Sequence, residues 1–96
     1  MPETRSRMHV EQLLDVSGLL VKCVIRCTSG TVSPGARVAV AGDDGICEGR
    51  LSASVLKIWR YGKEVDIVDA PHGAMIELEG ELAGSVAQGV ALCVLE

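Results

Sequence analysis

The feature that most constrains this sequence is a two-residue alternation of apolar and polar side chains between Leu19 and Thr28. A period of two is typical of a β-strand that buries one face and exposes the other, whereas a helix would repeat every 3.6 residues. The opposite face of the segment is mostly polar, with Lys22 and Arg26 on it. We therefore expect a half-buried strand. Its inward side chains are those of Val21, Cys23, Ile25 and Cys27.

Short segments of similar pattern occur along the rest of the chain, separated by turn residues. Further strands are predicted over Met8–Val16, Arg37–Val40, Ile46–Leu51, Ser54–Trp59, Val65–Val68, Ala74–Glu79 and Val90–Leu95. Glycine, proline and aspartate mark the turns, which are predicted over Gly30–Gly35, Gly42–Gly45, Tyr61–Glu64 and Ala70–Gly73. Only Gly80–Gln88 is a candidate for a short helical turn. The fold class is therefore predicted to be all-β: a small, closed, mainly antiparallel barrel of about six or seven strands, because closure removes exposed edges.

The length of 96 residues is that of one small domain, predicted over residues 8–96 after a flexible N-terminal arm of residues 1–7. Hydrophobic residues make up 48% of the chain but aromatic residues only 2%, so the core must consist mainly of aliphatic side chains. The first residues lack the apolar run of a secretory signal, and no apolar stretch is long enough to cross a bilayer. We expect a cytoplasmic protein that does not bind membranes.

Cysteine occurs four times, at Cys23, Cys27, Cys47 and Cys93. No two of these residues have the Cys-x-x-Cys spacing of a zinc site, and free cysteine is among the most buried residue types. The prediction is that all four thiols are reduced, buried and free of metal.

The sequence lacks the motifs of the common catalytic sites. There is no phosphate-binding loop and no nucleophile elbow, so neither nucleotide hydrolysis nor acyl transfer is predicted. The histidines, His9 and His72, and the adjacent acids Asp43 and Asp44 occur in or near turns, where hydrated side chains are the expected state. We expect no enzyme activity, no cofactor and no metal.

The best candidate for a binding surface is the segment from Lys57 to Lys63, which contains the single tryptophan and the single tyrosine together with three cations. If Leu56 and Ile58 point into the core, Lys57 and Trp59 point outward, and an exposed aromatic beside cations suits a protein or RNA contact. The alternative is that Trp59 covers the barrel end while the cations are solvated. The candidate binding residues are Lys22, Arg26, Lys57, Trp59, Arg60, Tyr61 and Lys63.

A sequence pattern early in the chain resembles the second, β-barrel domain of translation-factor GTPases, as found in elongation factor Tu. In that family a strand ends in a glycine turn, and a Gly-x-Val/Ile-x-x-Gly-x-x-Val hairpin follows. The positions that match are Arg26, Gly30, Val32, Gly35 and Val38. The segment Val55–Val65 looks like a strand of bacterial initiation factors that runs into a charged turn. Leu20 and Ile25 depart from the family pattern, which has small residues there.

The resemblance implies a non-catalytic accessory domain that contacts the acceptor end of tRNA and the small ribosomal subunit. The net charge of −4 favours a protein partner over RNA, because nucleic-acid binders usually carry a basic excess. Three interpretations therefore stay open: a module associated with the ribosome or tRNA, a protein–protein adaptor or homo-oligomer outside translation, and a small-molecule carrier in the barrel mouth.

Overall fold

The computed structural model describes residues 6–41, 47 and 51–95 of the chain. These residues form nine β-strands and one short 3₁₀ helix at Glu81–Ser85. The strands are β1 (Arg7–Ser17), β2 (Leu20–Ser29), β3 (Thr31–Val32), β4 (Arg37–Val40), β5 (Ala53–Arg60), β6 (Lys63–Val65), β7 (Val68–Asp69), β8 (Gly73–Glu79) and β9 (Ala91–Leu95). The all-β prediction is confirmed.

Six of these strands form a closed ring, in the order β4-β9-β1-β2-β8-β5, in which β5 pairs again with β4. Every pairing around the ring is antiparallel. Strand β6 pairs with the last three residues of β5, on the edge away from β8. The remaining strands, β3 and β7, form a separate two-stranded sheet. Closure gives each ring strand two hydrogen-bonded neighbours, as the barrel prediction requires.

The alternation seen in β2 has the predicted structural effect. Val21, Cys23, Ile25 and Cys27 are all buried, with at most 1% of each side chain exposed. They pack inside the ring against aliphatic side chains of the facing strands, including Ile58, Ile76 and Leu92. The core is therefore aliphatic, as the composition predicts.

A β-bulge in β5 changes which of its side chains reach the core. The register against β8 shifts between Val55 and Lys57, so Leu56 is the additional residue and remains 38% exposed. Of the two residues considered for the core in this segment, Ile58 is fully buried and Leu56 is not. Because the alternation resumes after the bulge, Lys57 is exposed and Trp59 is half-buried on the outer face.

Several strand and turn boundaries differ between the sequence prediction and the structure. Lys63 and Glu64 belong to β6 and not to the turn, which consists of Tyr61 and Gly62. The predicted strand over Val65–Val68 is two short strands, because a bend at residues 66–67 moves the chain from β5 to β3. Most of the predicted strand Ile46–Leu51 and the pair Asp43 and Asp44 lie outside the described residues.

The cysteines differ from the prediction of four reduced thiols. Cys47 and Cys93 form a disulfide, with Cα atoms 6.0 Å apart and 46 residues apart in sequence, while Cys23 and Cys27 are free and buried. Cys47 pairs as an isolated bridge with Ala41, and Cys93 lies in β9 directly opposite Ala39 in β4. This backbone pairing places the two cysteines close enough to form a disulfide, although their separation in the sequence matches no known motif.

The beginning of the described chain is attached to the ring. The backbone N–H of Val94 donates to the carbonyl of Ser6, and the backbone N–H of Thr31 donates to the Ser6 hydroxyl at 3.0 Å. Strand β1 then begins at Arg7. The predicted flexible arm of residues 1–7 otherwise lies outside the described residues and stays a prediction.

Candidate binding groove

The outer face of strands β2, β8 and β5 carries side chains in rows that cross the three strands. One row consists of Val24, Met75 and Trp59, which are neighbours by strand register and are all half-buried. The next row consists of Lys22, Glu77 and Lys57. An apolar strip is therefore bordered by a row in which an acid lies between two lysines.

Lys22 covers the tryptophan ring. Its Nζ lies 5.3 Å from the centroid of Trp59, although the two residues belong to strands that are not neighbours. A cation at this distance from an aromatic ring is attracted by the ring quadrupole. The contact explains why Trp59 is half-buried on an outer face, and it shows that Lys22 and Trp59 belong to one surface.

Beyond the apolar strip the surface opens into a groove of about 670 Å³. The register places Gly73 opposite Arg26, so no side chain occupies the middle strand at this point. A Cβ atom at Gly73 would lie 3.1 Å from the carbonyl oxygen of Ile25. Gly73 therefore lines the floor of the groove without a side chain, and a larger residue there would press on the β2 backbone. Its walls include Glu11, Arg26, Trp59, Arg60, Tyr61 and His72.

Arg60 and Tyr61 form the wall at the β5–β6 turn. The guanidinium carbon of Arg60 lies 5.4 Å from the Tyr61 ring centroid, and the Tyr61 side chain is 92% exposed. Tyr61 has a backbone φ of 54°, in the left-handed region, and this conformation allows the tight turn with Gly62. The Nε atom of Arg60 is buried and has no hydrogen-bond partner among the described residues.

The opposite wall contains both signs of charge. One guanidinium nitrogen of Arg26 donates to the carbonyl of Pro71 at 3.1 Å, and its Nε lies 3.8 Å from the Glu11 carboxylate. The same carboxylate lies 3.6 Å from Nδ1 of His9. His72 is held at the rim by Asp69, with 3.2 Å between Nδ1 and the carboxylate oxygen. Arg26 is therefore held in place on this wall, while Arg60 keeps an unsatisfied donor.

Some of the predicted binding residues lie together in the groove. Arg26, Trp59, Arg60 and Tyr61 line the groove, and Lys22 adjoins it through the tryptophan ring. Lys57 lies one row away beside Glu77, and Lys63 lies opposite Arg60 in the β5–β6 hairpin, so neither lines the groove. The sequence did not indicate Glu11, Met75 or Gly73 as parts of the site, because only strand register brings them close to these cations.

The described residues show no arrangement typical of a metal site. No three histidine, cysteine, aspartate or glutamate side chains among them lie close enough to hold a metal ion. No helix within the described ranges has the length and apolar character needed to cross a membrane.

Comparison with known proteins identifies the fold but not a family of close relatives. No family profile matches the sequence, and no curated protein matches it. The structure is similar to GDP-bound aIF5B from Aeropyrum pernix, with a TM-score of 0.76 and 11% identity over 95% of this chain. It is also similar to the apo form of translation elongation factor SelB from Methanococcus maripaludis, with a TM-score of 0.74 and 18% identity over 95% of this chain.

The matched regions make up 15% of the aIF5B chain and 19% of the SelB chain, so this chain corresponds to a small part of either factor. At these identities the similarity shows the fold alone. The predicted resemblance to the second domain of translation-factor GTPases is confirmed at this level.

Proposed function

We propose that this chain is a non-enzymatic module of the translation machinery whose groove binds single-stranded RNA of the ribosome or of tRNA. The observation that carries the proposal is the combination of both aromatic side chains of the protein with Arg26 and Arg60 in one groove. A guanidinium group beside an exposed aromatic ring, as in Arg60 and Tyr61, can bind a phosphate oxygen. The fold likeness to translation factors supports this assignment, which also implies a cytoplasmic location.

The geometry suits an unpaired nucleotide better than a duplex. Bases that are splayed out of a single strand stack on aromatic rings and on arginine planes, and their phosphates bind cations. Tyr61 offers an almost fully exposed ring, and the Arg60 guanidinium beside it lies within reach of the same ligand. Because Glu11 and Glu77 lie among the cations, we expect fewer phosphate contacts than in a typical basic RNA-binding domain.

The test is fluorescence anisotropy with a labelled single-stranded RNA of about 12 nucleotides, titrated at several salt concentrations. Arg60→Ala should weaken binding and reduce the salt slope by about one unit per lost phosphate contact. Tyr61→Ala should weaken binding about tenfold with an unchanged slope, because stacking contributes roughly 1–3 kcal/mol per base. Arg37→Ala is the matched control, since Arg37 is exposed on β4 and hydrogen-bonds to Ser52 outside the groove.

Unchanged affinity in an Arg60→Ala, Tyr61→Ala double variant would contradict the proposal. A ligand whose binding depends on Trp59 but only weakly on salt would support the alternative of a protein adaptor. A small molecule that binds with equal affinity to the wild type and the double variant would support the alternative of a carrier.

A further inference from the structure

One wall of the groove places a carboxylate beside a guanidinium group. Strand β1 contributes Glu11 and strand β2 contributes Arg26, and both residues line the groove. Glu11 is the additional residue of a β-bulge, because the register of β1 against β2 shifts between Val10 and Gln12. Its carboxylate lies on the outer face of the hairpin, since it is close to Arg26 and His9, which are register partners on that face.

The contacts within this wall leave hydrogen-bonding capacity for a ligand. One carboxylate oxygen of Glu11 lies 3.8 Å from Nε of Arg26, and the other lies 3.6 Å from Nδ1 of His9. Both distances are longer than a hydrogen bond. The Arg26 guanidinium has five N–H donors, and one of its nitrogens donates to the Pro71 carbonyl at 3.1 Å. The wall therefore presents donors from Arg26 next to two acceptor oxygens of Glu11.

The surface beside the charged wall is apolar. Gln12, which follows Glu11, is the register partner of Val24, and Val24 is the register partner of Met75. Val24, Met75 and Trp59 all line the groove and are half-buried. The faces of an unpaired base pack well on aromatic and apolar side chains, while its edge seeks hydrogen bonds. A base that lies on this apolar strip directs one edge to the charged wall.

The order of donors and acceptors in the wall matches one base. The Watson–Crick edge of guanine carries an acceptor, O6, followed by two donors, N1–H and N2–H. The acceptor matches the guanidinium of Arg26, and the two donors match the carboxylate oxygens of Glu11. Cytosine has the opposite order, and adenine places a donor at the guanidinium and an acceptor at the carboxylate. Uracil matches Arg26 through O4 and Glu11 through N3–H, but its O2 acceptor meets the carboxylate.

From this complementarity we propose that the groove selects guanine among the bases of a single strand, with Glu11 as the specificity-determining residue and Arg26 as its partner. The inference rests on the proposed binding of single-stranded RNA and adds a base preference to it. The Glu11 carboxylate also repels phosphates, so it lowers the affinity for RNA in general while it raises the relative affinity for guanine. A residue that only stabilised the bulge would not have these two opposite effects.

The test is fluorescence anisotropy with labelled RNA strands of about 12 cytidines in which one central nucleotide is varied. The cytidine background is chosen so that sliding of the strand does not bring a better base to the site. The strand with guanosine should bind about tenfold more tightly than the strands with adenosine or with cytidine alone, because a bidentate pair discriminates between bases by about this factor. Strands with inosine, which lacks the 2-amino donor, or with uridine should have intermediate affinity.

Glu11→Gln is the decisive variant, because its amide keeps one acceptor and replaces the other with a donor. The advantage of guanosine should fall to about twofold or less, whereas the affinity for the all-cytidine strand should stay the same or rise. Glu77→Gln is the matched control, since it makes the same change of charge on the outer face but outside the groove. It should preserve the preference for guanosine. Urea denaturation of both variants checks that they remain folded.

Equal affinity of the wild type for all five strands would overturn the guanine preference and leave the proposed RNA binding intact. A guanosine advantage that persists in Glu11→Gln would overturn the assignment of Glu11. Failure of every strand to bind would contradict both proposals. Arg60→Ala should weaken all five strands by the same factor and leave the preference unchanged, which separates phosphate binding from base recognition.

Discussion

Lys22 in β2 and Trp59 in β5 are in contact across an intervening strand, with the lysine Nζ 5.3 Å from the tryptophan ring centroid. The two residues are diagonal neighbours: Lys22 is opposite Glu77 in β8, and Trp59 is opposite Met75. The contact therefore connects three strands of the ring on their outer face. It also orients the indole that forms one wall of the groove.

Replacement of Lys22 by methionine should remove the cation while keeping much of the side-chain volume. We expect the free energy of unfolding to fall by about 0.5–1 kcal/mol, the usual contribution of an exposed cation–π pair. Lys57→Met is the matched control, because Lys57 faces the same Glu77 without covering the ring, and it should change stability by less. Urea denaturation followed by the fluorescence of the single tryptophan measures both. Equal losses in the two variants would mean that charge pairing with Glu77 is what matters.

The disulfide between Cys47 and Cys93 predicts a specific thiol count. Denatured protein without reductant should show two reactive thiols, those of Cys23 and Cys27, and four after reduction. A bridge that spans 46 residues stabilises the fold by about 4 kcal/mol if it acts by restricting the unfolded chain. Reductant should therefore destabilise the wild type but not a Cys47→Ser, Cys93→Ser variant. Four reactive thiols without reductant would restore the prediction of reduced cysteines.

Burial of Cys23 should make the stability depend on pH in the alkaline range. Burial raises the pKa of the Cys23 thiol from 9.0 to about 11, because the thiolate is poorly solvated in the core. The unfolded chain thus releases this proton at lower pH than the folded protein. The contribution of the protonated Cys23 thiol to the free energy of unfolding is complete below pH 9. It is lost between pH 9 and about 11, by up to about 1.4 kcal/mol per pH unit.

Urea denaturation at several pH values under reductant, which prevents disulfide exchange, tests this expectation. Cys23→Ala should be less stable than the wild type at pH 8, because it leaves a small cavity, but its stability should fall less steeply above pH 9. Cys27 is retained in both proteins, and burial also raises its pKa, so the comparison isolates the Cys23 contribution. Parallel pH profiles would show that the Cys23 thiolate is not disfavoured by the fold.

The strands and their inward faces could be predicted from the sequence because both depend on the order of residues within a short segment. Alternation over Leu19–Thr28 requires only that one face be buried, and the buried side chains of β2 follow the pattern. The glycine turn at Gly30 was predicted for a similar reason, since its φ of 68° is readily available only to glycine. The resemblance to translation-factor domains rested on the same hairpin, and it correctly indicated the fold.

Only the tertiary structure decided which distant residues meet. The bulge that exposes Leu56 depends on pairing with β8, and the bond between Cys47 and Cys93 depends on β9 lying beside β4. The groove likewise depends on strand register, which places Gly73 opposite Arg26 and brings both to residues of β5, a relation that has no trace in local composition. Alternation determines which way a side chain points, since the strand period is a property of the backbone. Register and closure arise from the packing of all strands at once, and they determine what that side chain touches.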